Sequence, residues 1–90
     1  MNMDSKFAIP PQVMARMVGD ETVILDLQSG TYFGLDPIGA RIWTLIGEGK
    51  SLAEICDTVL AEYDVARDVL ERDVRDLVHD LSKRKLIMAA

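Results

Sequence analysis

The sequence predicts an α+β domain in which a three-stranded antiparallel sheet is followed by three helices. Three observations carry this expectation: short runs rich in Val, Ile, Leu, Tyr and Phe up to Leu35, an abrupt change to helical spacing at Asp36-Pro37, and two further amphipathic stretches after it. Short β-branched and aromatic runs closed by turn residues mark hairpins, whereas apolar residues recurring every three or four positions mark helices lying on a core. With 90 residues, 49% of them hydrophobic and 28% charged, the chain supports one modest core and is too short for two.

Residues 1–11 show no period, and Pro10-Pro11 removes two backbone donors and fixes two φ angles. They are expected to form an extended lead-in to a single domain over residues 12–90. The first strand follows as QVMARMV, with Val13, Ala15 and Met17 on one face. After Gly19-Asp20-Glu21 the second runs TVILDLQ, with Val23, Leu25 and Leu27 on one face. After Ser29-Gly30 the third runs TYFGLD, with Phe33 and Leu35 opposite Tyr32 and Gly34. The strands form a meander.

Asp36-Pro37 opens the first helix, because Asp is a good N-cap acceptor and Pro loses nothing at the first helical position. Its apolar side is Ile38, Ile42, Trp43, Leu45 and Ile46, and Gly47-Glu48-Gly49 ends it. Ser51-Leu52-Ala53-Glu54 fits a capping box for the second helix, which carries Leu52, Ile55, Cys56, Val59 and Leu60 toward Tyr63. The longest helix spans roughly Ala66 to Arg84 on the stripe Leu70, Val74, Leu77, Val78 and Leu81. Lys83-Arg84-Lys85 puts positive charge where the helix dipole favours it. Leu86-Ile87-Met88 closes the chain as a short strand or packed tail. Such an order of elements is winged helix-turn-helix-like.

Charge and chemistry narrow the function. Fifteen acidic against ten basic residues, net −5, oppose duplex nucleic acid and anionic membrane as partners. One cysteine allows no internal disulfide, and no signal-peptide pattern or long uncharged apolar run is present, so the cytoplasm is the expected compartment. Catalysis needs a nucleophile with an oriented base, or a metal with several ligands. His79 stands alone as a solvated or groove-edge side chain, and Cys56 lies on an apolar helix face as a small core hydrophobe. Gly30, Gly34 and Gly39 make no phosphate-binding loop. No catalytic residue, metal or cofactor is therefore expected.

Two surface features remain. Asp73, Asp76 and Asp80 form an acidic line beside the apolar stripe of the last helix, suited to a basic or amide-bearing ligand, although solvated i, i+4 pairs with neighbouring arginines explain most of the charge. The third strand is the sheet's edge in a meander, and Tyr32-Phe33-Gly34-Leu35 lacks the Lys or internal Pro that usually protects such an edge. Gly34 lets something approach the strand closely. A peptide adding to this edge gains main-chain bonds and seats alternate side chains in pockets. About four or five such bonds at about 1 kcal/mol each, with two apolar side chains at about 1.5–3 kcal/mol, reach micromolar affinity before ordering costs.

The residues also resemble a known family. Leu25-Asp26-Leu27 before Ser29-Gly30, the run from Tyr32 through Asp36-Pro37-Ile38-Gly39-Ala40-Arg41-Ile42 to Trp43, and Asp73-Val74 with Leu77 and Leu81 are similar to the PqqD-like family, or RiPP recognition elements. The likeness spans nearly all of the chain after Pro11 and is greatest to stand-alone members of lasso peptide clusters. It implies a non-catalytic domain that binds the leader of a ribosomally made precursor as an added antiparallel strand against the last helix, then presents it to processing enzymes. In a lasso pathway these would be a leader-cleaving protease and an ATP-dependent cyclase. Carried onto this chain, the peptide-binding residues are Tyr32, Phe33 and Leu35 on the strand, Leu25 and Leu27 behind it, and Val69, Leu70, Asp73, Val74, Asp76 and Leu77 on the helix. A PqqD-type chaperone for the pyrroloquinoline quinone precursor is the alternative, and a winged-helix DNA-binding regulator a weaker one. The chain departs from the family in two places. Ala66-Arg67 stands where members have an Asp or Ser-Pro helix start, which shifts the expected start to Asp64 or Asp68, and Lys85 stands where many have Gly.

Overall fold

The computed structural model describes residues 2–90, and Met1, the first residue of the expected lead-in, lies outside them. Eight elements follow in order: β1 (Phe7–Ala8), β2 (Val13–Val18), β3 (Glu21–Asp26), β4 (Tyr32–Leu35), α1 (Pro37–Gly47), α2 (Leu52–Glu62), α3 (Arg67–Lys83) and β5 (Met88–Ala89). The expected three-stranded antiparallel sheet is β2-β3-β4, and three helices follow it. Residues 2–5 make a turn and residues 6–8 are extended, and both stretches are tied down. Phe7 and Ala8 pair antiparallel with Ala89 and Met88, and the Leu52 and Ala53 N–H groups donate to Ser5 and Met3 at 3.1 and 2.8 Å. This second, two-stranded sheet clasps the chain ends together.

The core lies between one face of the sheet and the helices. Ile24 and Leu35 enter it from the sheet, and Ile46, Ile55, Val59, Val74 and Leu81 from the helices. Asp36 caps α1 by accepting from the Gly39 N–H at 2.7 Å. A Cβ on Gly39 would stand 3.1 Å from Asp36 Oδ1 and 3.2 Å from Leu35 Cδ2, so glycine lets α1 start tightly against β4. The capping box at α2 forms in both directions, Ser51 N–H to Glu54 Oε1 at 2.8 Å and Glu54 N–H to Ser51 Oγ at 3.2 Å. These bonds hold the Glu54 carboxyl below its ordinary value. Arg41 and Glu62 join α1 to α2 through two bonds of 2.8 and 2.9 Å.

The start of α3 differs from both acidic alternatives. It begins at Arg67 after an uncapped Ala66, not at Asp64 or Asp68. The Arg67 guanidinium donates to Glu71 at 2.8 Å and to Asp57 on α2 at 2.9 Å, which offsets a cation at the positive end of a helix dipole. At the other end Lys85 adopts φ 60°, the left-handed conformation usually given to glycine. Lys85 N–H then reaches Ser82 O at 3.0 Å and Leu86 N–H reaches Leu81 O at 2.9 Å, closing a Schellman turn over two fully buried leucines.

Candidate functional site

The geometry of β4 follows from its hairpin with β3. Asp26 accepts at Oδ1 from the Gln28 and Ser29 N–H groups at 2.8 and 3.3 Å, and Gly30 takes φ 76°, so the turn closes with Asp26 opposite Thr31. The Asp26 N–H donates to Thr31 O at 2.8 Å, making that pair a hydrogen-bonded one. Hydrogen-bonded and non-bonded pairs alternate in an antiparallel ladder, so Ile24-Phe33 and Thr22-Leu35 are bonded pairs, and Leu25-Tyr32 and Val23-Gly34 are not. The N–H and C=O groups of Tyr32 and Gly34 therefore point away from β3. With β4 last in the sheet order, these four groups form an open edge.

Beside the edge runs a groove of about 390 Å³. Phe33, Gly34 and Leu35 on β4 form one wall, Asp73, Asp76, Leu77 and Asp80 on α3 the second, and Asp36 with Ile38, Gly39 and Ile42 of α1 the end. Arg84 holds its guanidinium 5.1 Å from the centre of the Phe33 ring, a cation–π contact at the C-terminal end of α3. Four carboxylates thus line an apolar slot, Asp36 engaged as the α1 cap and three on α3. Among the described residues the ion pairs are Arg41–Glu62, Arg67–Asp57 and Arg67–Glu71, so none of the groove carboxylates is in one.

The expected binding residues divide into three sets. Phe33, Leu35, Asp73, Asp76 and Leu77 meet in the groove. Leu70 and Val74 face the core, and Val69, 42% exposed, lies one turn beyond the groove lining on the same helix face as Asp73. Tyr32, Leu25 and Leu27 are not behind the groove. Tyr32 is 72% exposed on the opposite face of the sheet, paired with Leu25, and Leu27 is 62% exposed in the turn after β3. The reason is that Ile24, fully buried, is the inward residue of β3, which turns Val23 and Leu25 outward. On that outer face Met14, Val18, Val23, Leu25 and Tyr32, with Arg16, surround a largely apolar hollow of about 270 Å³.

The α1 contribution was not anticipated. Its signal lay in the DPIG sequence itself, because a helix that starts directly after the edge strand must place its first turns beside that edge. Other titratable groups stand apart from the groove. Cys56 is buried on α2, and burial pushes its thiol above the ordinary value, which makes it a core residue and not a nucleophile. His79 is exposed on α3. Among the described residues no group of three or more His, Cys, Asp or Glu is placed to hold a metal ion, and no helix is long and apolar enough to cross a membrane.

Comparisons with known proteins agree with this architecture. The family model Coenzyme PQQ synthesis protein D (PqqD) matches residues 21–87, from the start of β3 to the buried Ile87. No curated protein sequence matches the chain. A solved structure described as "TbiB1 in Complex with the TbiA(beta) Leader Peptide" is 48% identical, covers 89% of this chain and 93% of its own, and superposes with a TM-score of 0.80. Another, "Lasso peptide synthetase B1 complexed with the leader peptide", is 29% identical, covers 92% and 98%, and gives 0.83. A family match that takes in β3, β4 and all three helices, with nearly half the residues shared with a solved relative, establishes that the chain belongs to the PqqD family as a RiPP recognition element.

Proposed function

We propose that this protein is a leader-peptide-binding module of a lasso peptide pathway. It captures an extended segment of the precursor as an added strand on β4 and presents it to processing enzymes without catalysing a step itself. The observation that carries this reading is the open edge at Tyr32 and Gly34 beside a groove that joins apolar walls to the three α3 carboxylates Asp73, Asp76 and Asp80. Four outward main-chain groups supply the directional bonds, and Phe33, Leu35 and Leu77 supply the apolar contact. Asp73 and Asp76 select against acidic peptides and attract basic or amide-bearing ones. The enzymes served are a leader-cleaving protease and an ATP-dependent cyclase, in the cytoplasm. The likeness to a lasso peptide synthetase B1 complexed with the leader peptide, 29% identical over nearly the whole of both chains, favours a lasso leader over the pyrroloquinoline quinone precursor.

The test is a fluorescence anisotropy titration of the folded chain with two synthetic peptides: the leader of the precursor encoded beside its gene, and the TbiA(beta) leader. Saturable binding with a Kd of about 1 μM or tighter is expected for at least one, with a scrambled leader silent. If neither binds, the reading is wrong.

A further inference from the structure

Gly34 has no role in the fold. Gly19, Gly30 and Gly49 take left-handed φ angles, Gly39 admits Asp36 and Leu35 at close range, and a Cβ on Gly47 would press on Ile9 at 3.3 Å. Gly34 shows none of this. It sits in an extended strand outside the left-handed region, and a Cβ built there meets nothing within 4 Å. A glycine inside a strand gives up side-chain packing and weakens the strand, so its use here points to something that approaches from outside.

Alternation places the missing side chain on the outer face, the face of Tyr32 and away from the groove. Its neighbour across the ladder is Val23, and beyond it the edge opens into a hollow of about 440 Å³ against Asp20, Glu21, Asp36 and Pro37. A strand added to β4 sends its side chains alternately to the two faces. Those level with Phe33 and Leu35 enter the groove. The one opposite Gly34 emerges on the outer face, where nothing on β4 fills the step between it and Val23. A large flat side chain there covers the glycine backbone, reaches Val23 and lies against the edge of Tyr32, as an aromatic residue does when it shields a glycine across a strand pair.

We propose that Gly34 is a specificity-determining position, which receives one large apolar or aromatic side chain of the leader on the outer face of the sheet. The leader is then read on both of its faces, by the acidic apolar groove on one and by the Gly34 gap beside Tyr32 on the other. This inference rests on the strand-addition reading above.

Gly34→Val and Gly34→Ala test it with the same two leaders. Both variants are expected to melt at or above the temperature of the parent protein, because a β-branched side chain suits a strand and its atoms enter open space. Gly34→Val is expected to bind about tenfold more weakly, with Gly34→Ala between, since the added methyls occupy the space the peptide needs. An alanine scan of the leader locates the side chain concerned. Its truncation should weaken binding to the parent protein and leave binding to Gly34→Val unchanged. If a folded Gly34→Val binds as tightly as the parent, the inference fails and the leader-binding reading stands. If Gly34→Val does not fold, Gly34→Ala decides in the same way, equal affinity again overturning the inference. If the parent binds neither leader, the functional reading falls first.

Discussion

Replacing Tyr32 by proline separates the main-chain bonds of an added strand from every other contribution to binding. Tyr32 is the first residue of β4, where proline is tolerated, and its N–H points away from β3, so the ladder loses nothing. The side chain is lost as well, and Tyr32→Ala is the control for that. The difference between the two variants is one outward donor of the four edge groups. A hydrogen bond of this kind is worth about 1 kcal/mol net, and an acceptor left unpaired in the complex raises the loss to about 2 kcal/mol. Tyr32→Pro should therefore bind the leader about 5- to 30-fold more weakly than Tyr32→Ala. Anisotropy titration measures the affinities, and far-UV circular dichroism with thermal melts verifies that both variants fold alike. Phe33→Pro is the counterpart. It removes the bond to Ile24, so it should lower stability by about 1–3 kcal/mol. Equal affinities of Tyr32→Pro and Tyr32→Ala would refute strand addition at this edge.

Three further outcomes follow from the same geometry. Asp73→Lys should weaken leader binding by up to about fivefold at low salt, the scale of one exposed charge interaction, with the loss shrinking as salt rises; equal affinity at both salts would place the peptide elsewhere. Lys85→Gly should raise stability by about 0.5–1 kcal/mol in a denaturant melt, because relieving a left-handed lysine gains more than the glycine costs in unfolded-chain entropy. Backbone bonds from Ser51 and the Arg41 guanidinium hold Glu54 and Glu62 below their ordinary value of 4.5. A depressed carboxylate stabilises the fold above its unfolded pKa and loses that contribution as pH falls through the folded value. The melting temperature should thus stay level above pH 4.5 as far as these two groups are concerned, and fall below it, less steeply in the Glu54→Gln/Glu62→Gln variant.

What was legible in the sequence, and what was not, follows from how local each signal is. Asp36-Pro37 and Ser51 to Glu54 announce helix starts because caps are satisfied within one turn. The edge position of β4 follows from strand order, and the pairing of Phe33 and Leu35 with Asp73, Asp76 and Leu77 from the likeness to known proteins. The facing of β3 was not readable. Val23, Ile24 and Leu25 are apolar in succession, so alternation is silent, and only the turn at Asp26 decides that Ile24 points inward. That one parity moves Leu25 out of the groove, whereas Tyr32 leaves it by alternation with Phe33 alone. The clasp of β1 on β5 was equally invisible, since two residues cannot show a period and their partners lie at opposite ends of the chain. The span of α3 from Ala66 to Arg84 was legible in its apolar stripe, whereas the acidic starts at Asp64 and Asp68 are not used.

The clasp bears on how this domain can be attached to other machinery. Because Phe7 faces Ala89, the two ends of the described chain adjoin, and the surface there, Asn2 and Asp4 to Phe7 with Ala89 and Ala90, shares no residue with the groove. A domain with adjoining ends tolerates insertion into a host loop or rejoining of its termini by a short linker. A tether at either end therefore starts from the same surface, away from the groove, so a partner joined at one end or the other leaves the β4 edge equally open.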